Sequence, residues 1–175
     1  MKKLKNAKGF TLVETLTCMI MLVLLGGICS TGMNLAMKSY QETVFESNSQ
    51  TLASSLETYM NDILRYATDV ETTDGKVTGF TNPSYQMYEG MIAVSTTEGE
   101  TKDKMVIYTR PAGEDARKEF LIVGPGMYGN DMYIADFTLK YDETTQLFEG
   151  EYKIKSVRMS SMVRTYTFGC RTISE

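Results

Sequence analysis

The sequence predicts an α+β fold: a long N-terminal helix, apolar and transmembrane in its first half and amphipathic in its second, packed on an antiparallel β-meander head. Three observations predict it. An uncharged run from Thr15 to Met37 separates Glu14 from Lys38. Beyond Lys38, apolar residues recur at three- and four-residue spacing. After Asp74 the period shifts toward two, and turn-rich segments punctuate the chain.

The helix comes first. The 23 residues from Thr15 to Met37 rise roughly 35 Å as a helix, enough to cross a hydrocarbon core. No proline stands between Met1 and Asn82, so one helix is expected from Phe10 to Tyr66. Its second half carries a stripe of Tyr40, Val44, Leu52, Leu56, Tyr59, Met60, Ile63, Leu64 and Ala67, interrupted only at Asn48. Glu42, Glu46, Ser49, Glu57 and Asp62 lie opposite. The expected segments are therefore 1–9, a short leader; 10–37, the membrane helix; 38–67, the amphipathic half; and 68–175, a β-rich head.

Strands are expected at Gly90 to Ser95, Lys104 to Thr109, Glu119 to Val123, Met132 to Tyr141, Leu147 to Val157 and Met162 to Phe168. The clearest hairpin joins "IADFTLKYD" to "LFEGEYKIK" around Glu143 to Gln146. Short linkers between successive strands imply a meander whose apolar face covers the helix.

Charge bounds the partners. Lys2, Lys3, Lys5 and Lys8 crowd the first nine residues without an acid among them. The whole chain has net charge −4, and setting those residues aside leaves 14 basic against 22 acidic side chains, a net of −8. An acidic domain argues against direct binding of nucleic acid, which needs basic clusters. Lysines before the apolar run keep that end cytoplasmic and send the following domain outward, as a single-pass protein of the cytoplasmic membrane.

Nothing in the head assembles a catalytic site, and no enzyme activity, cofactor or metal is expected. Histidine, the commonest general base, is absent from the sequence. Asn130, Asp131 and Asp136 near "GPGMYGND" match no calcium-loop spacing, and turn chemistry explains them. Arg158 and Arg164 read as a solvated face. An exposed Tyr128/Tyr133 cluster could serve adhesion, but core and strand preference account for most of the 11 tyrosines. Cys18 and Cys29 read as small apolar residues of the helix, and Cys170, alone in the head, has no disulfide partner there.

Glu14 is the residue the N-terminus must explain, since a carboxylate at the lip of a membrane helix is costly without a partner. A secretory signal would have a shorter apolar core and a small-x-small cleavage site. A lipoprotein signal would have a small residue, not Ile28, before Cys29. A plain single-pass anchor leaves Glu14 snorkelling at the interface.

"KGFTLVE" offers another account. It resembles the processing site of type IV prepilins and pseudopilins: a basic leader ending in glycine, a phenylalanine, then a glutamate four residues later. The resemblance is strict over about thirty residues. It implies cleavage between Gly9 and Phe10 by a prepilin peptidase, N-methylation of Phe10 by the same enzyme, and a charge pair between Glu14 and the terminal amine of a neighbouring subunit. It implies further partners too: other pilin subunits, an inner-membrane assembly platform, and lipid before assembly. The destination is an extracellular or cell-envelope filament.

Where many major pilins have a proline about 22 residues into the mature chain, Thr31 stands here, and Gly26, Gly27 and Gly32 lie nearby. These glycines read equally as a point where the helix can unwind and as a close-packing surface. The expected function is a structural subunit, minor pilin or pseudopilin, of a pilus, competence or type II secretion filament. The alternative is a singly anchored extracytoplasmic surface or adhesion protein that is never processed.

Overall fold

A computed structural model describes residues 11–111, 113, 116–129 and 131–173. The chain is α+β, with one long helix, α1 (Leu12–Arg65), followed by an eight-stranded antiparallel sheet. It divides into two compact units, residues 1–43 and 44–175. The expected boundary between helix halves fell slightly earlier, at 37/38.

The described part of the first unit is helix. Every side chain from Thr11 to Thr43 is exposed, including Tyr40, which is 67% exposed although expected on the apolar stripe. The most apolar 18-residue window of α1 has mean hydropathy 2.2, so this helix is long and apolar enough to cross a membrane. It runs unbroken through Gly26, Gly27 and Gly32, and a Cβ added at any of the three would meet no atom within 4 Å.

In the second unit, the last turns of α1 pack on the sheet. Leu52, Leu56, Met60, Ile63, Leu64 and Ala67 are buried as expected from their spacing, joined by Phe45 and Ala53. Val44 and Tyr59 flank the stripe and remain exposed. Ser49 was expected on the polar side, yet it is fully buried: its hydroxyl lies 2.9 Å from the Tyr166 hydroxyl, which removes the penalty of burying it.

The strands are β1 (Thr68–Thr73), β2 (Lys76–Asn82), β3 (Met87–Val94), β4 (Met105–Pro111), β5 (Lys118–Leu121), β6 (Met132–Asp142), β7 (Leu147–Ser156) and β8 (Val163–Arg171). Their order is β5-β4-β3-β2-β6-β7-β8, with β1 on β2. Successive strands pair from β1 to β5 and again from β6 to β8. The two runs join where Lys76 meets Lys140, the one non-sequential pairing.

β1 and β2 had no counterpart in the strands expected from sequence. They form a hairpin whose central residues, Asp74 (φ 52) and Gly75 (φ 73), both take the positive φ that a tight two-residue hairpin turn requires. Asn82 then ties β2 to the helix, its amide donating to the Ile63 carbonyl at 2.6 Å while its side-chain oxygen accepts from Tyr85 N.

The core lies between α1 and the inner sheet face. Phe148, Gly150, Tyr152 and Ile154 of β7 point inward at alternate positions, opposite Cys170, Phe168, Tyr166 and Arg164 of β8. The Phe168 ring covers Gly150, and the Tyr152 hydroxyl donates to the Ala53 carbonyl at 3.1 Å. β8 lies along the helix. Contacts between Tyr166 and Ser49, between the Cys170 thiol and Asn61 O, and between Ile173 N and Arg65 O follow both segments in the same direction.

Candidate functional site

The start of α1 is the candidate site. Gly9 and Phe10 lie outside the described residues. Thr11 is the residue before the first helical turn, and Glu14 sits three positions on. Thr11 N and Thr11 Oγ1 each donate to Glu14 Oε2 at 2.9 Å, and Glu14 N donates back to Thr11 Oγ1 at 3.3 Å. This reciprocal capping box satisfies two backbone amides that the first turn leaves without helical partners. The T-x-x-E spacing was readable in the sequence, and it gives Glu14 a local role that the charge-pair argument omitted.

After Glu14 the helix presents Thr15, Thr17 and Thr31, whose hydroxyls donate to carbonyls three or four residues back. Cys18 and Cys29 are exposed on the same helix.

No family model, curated protein or solved structure matches this chain.

The other candidate residues are dispersed by the fold. Asn130 lies outside the described residues. Asp131 pairs with Arg158 at 2.6 Å and Asp136 with Lys153 at 3.1 Å. Among the described residues, no group of three or more acidic, cysteine or histidine side chains is placed to hold a metal. Arg158 and Arg164, adjacent in sequence logic, take different carboxylates, since Arg164 faces Glu46 at 3.7 Å. Cys170 is buried, and burial pushes its thiol above the usual range, which leaves it a poor nucleophile.

The exposed Tyr128/Tyr133 cluster is corrected. Tyr128 is fully buried and its hydroxyl accepts from Met105 N at 2.9 Å; only Tyr133 reaches the surface, half-buried. The "GPG" segment accounts for this. Pro125 opens a 3₁₀ turn, Pro125–Tyr128, that carries the ring into the core.

Burial pushes the Tyr128 phenol up to about 12, from an ordinary value of 10.0, and also raises Tyr152. The unfolded phenol ionises first as pH rises, so the contribution of Tyr128 is fully present below about pH 10 and lost between about 10 and 12. In an alkaline titration Tyr128 and Tyr152 should ionise only as the far-ultraviolet circular dichroism collapses. All 11 tyrosines titrating in one step with the dichroism unchanged would contradict the burial described here.

Proposed function

We infer that this chain is a structural subunit of a type IV pilus-like filament, a minor pilin or pseudopilin, cut between Gly9 and Phe10 and assembled through its N-terminal helix. The observation that carries the reading is the position of Glu14. It is the sole charged side chain between Thr11 and Met37, in the first turn of a helix whose residues up to Thr43 are all exposed. Lipid satisfies the apolar surface before assembly, and neighbouring helices satisfy it afterwards. The carboxylate has one oxygen engaged by Thr11, which leaves the other able to receive the methylated amine of an adjacent subunit.

Each charge alone is expensive in an apolar bundle, and pairing offsets much of that cost while fixing register. The prepilin peptidase, other subunits and an inner-membrane platform are the partners this reading requires, and a pilus, competence or type II secretion filament would each meet it.

The capping box also favours the unprocessed surface anchor, because a Glu14 engaged within its own helix needs no partner. Intact mass of the protein from cells that express a prepilin peptidase separates the two. The filament reading expects a species beginning at Phe10 and heavier by about 14 mass units for the methyl group. Only full-length protein under those conditions would remove it.

A further inference from the structure

β8 has an open edge. Among the described residues it pairs with β7 alone, over nine residues and without a register shift. Met162 O accepts from Ser156 N and Thr172 N donates to Gln146 O, so the even-numbered backbone groups face β7. Strand alternation therefore turns the N–H and C=O groups of Val163, Thr165, Thr167, Gly169 and Arg171 away from the sheet. Ile173, the next in that series, does donate outward, to Arg65 O at 2.8 Å. Among the described residues, no strand lies on that side of Thr165, Thr167 and Gly169.

The sheet's other edges are blunted. β5 is four residues long, and β1 is broken by two register shifts with Asp69 at φ 49. β8 is longer and unbroken, contains neither proline nor lysine, and keeps its two charges, Arg164 and Arg171, toward its ends, while threonines and aromatics alternate along its middle.

We propose that the β8 edge pairs with β8 of a second copy of this chain, antiparallel and centred on Thr167. The strand is self-complementary in that register. Thr165 of one copy stands opposite Gly169 of the other and Thr167 opposite Thr167, so that exposed threonines form the cross-strand pair at the centre. Arg164 stands opposite Cys170 and Arg171 opposite Val163, so no like charges face each other. The five outward residues of each copy complete about ten backbone hydrogen bonds. One added strand pair is a small interface, so the association is weak and concentration-dependent. It is also two-fold and closed, unlike the open association of a filament, and it stands independently of the filament reading.

The test uses the full chain in detergent micelles, by sedimentation over a range of protein concentrations and by residue-resolved amide exchange. Thr167→Pro removes an outward donor and leaves the β7 ladder intact, because the Thr167 amide does not face β7. Dimerisation should weaken at least about tenfold with the melting temperature within about 2 °C of the parent, and Thr165→Pro should repeat the effect. In the unmodified chain, the amides of Thr165, Thr167 and Gly169 should become protected as concentration rises. Dimers that form equally well in both proline variants would place the contact elsewhere, on the apolar helix above all, and overturn the proposal. So would exchange at these three amides that does not change with concentration.

Discussion

Glu14→Gln should leave membrane insertion and processing intact and reduce incorporation into filaments at least a hundredfold. Glutamine keeps the capping box, since its side-chain oxygen can still accept from Thr11 N and Thr11 Oγ1. What it loses is the charge. An ammonium left unpaired in an apolar bundle costs roughly 3–5 kcal/mol, which converts to more than a hundredfold in association.

Thr11→Val makes the reciprocal change, removing the capping hydroxyl while keeping the carboxylate. It should cost about 1 kcal/mol of helix stability and leave most assembly in place. The measurement is the membrane-bound, processed and filament-associated fraction of each variant. If Glu14→Gln assembles normally while Thr11→Val fails, Glu14 is a helix cap and the charge-pair mechanism is wrong.

Gly150→Ala should destabilise the second unit by about 3 kcal/mol, the upper end of the range for overpacking. An added Cβ would lie 2.0 Å from Phe168 Cε1 and 2.3 Å from Cζ. The ring cannot simply swing aside. It is 7% exposed, sits opposite Gly150 in the β7/β8 register, and has the Tyr152 ring 6.3 Å away.

Phe168→Ala alone should cost about 3–5 kcal/mol. Because the two residues occupy one space, the double variant should be more stable than the sum of the two losses predicts, by at least about 1 kcal/mol. Urea unfolding of the four proteins gives that cycle. Additive losses would mean that Phe168 does not need the space above Gly150.

The helix and most strands were legible because their apolar residues keep a strict period and no proline interrupts α1. Legibility failed where polar residues carry structure. Ser49 reads as solvent-facing, but its hydroxyl is satisfied in the core by the Glu46 carbonyl one turn back and by the Tyr166 hydroxyl, 117 residues away. The β1–β2 hairpin is written in threonine, aspartate and glycine, so little apolar alternation shows. Its one strong signal is Asp74-Gly75 between runs holding Val70 and Val77.

Tyr128 is hard to place from sequence because proline and glycine around it suggest a surface turn, whereas the turn is the device that buries the ring. At the helix start, Thr11 and Glu14 could be read as a cap directly from their spacing. No pattern in one chain can show what an adjacent chain brings to Glu14.

The alignment of β8 with α1 bears on when the second unit can form. Ser49, Asn61 and Arg65 each find their partner between Tyr166 and Ile173. The helix face buried by the sheet is thus completed by residues made more than a hundred positions later. Until those residues emerge, Leu52, Leu56, Met60 and Leu64 have no finished surface to pack on. Pairings this distant in sequence form slowly, because loop closure must precede the contacts that reward it. The growing chain therefore carries a sticky helix face through most of its synthesis. A stop codon just before β8 would remove a small fraction of the mass, yet it would leave that face permanently unsealed.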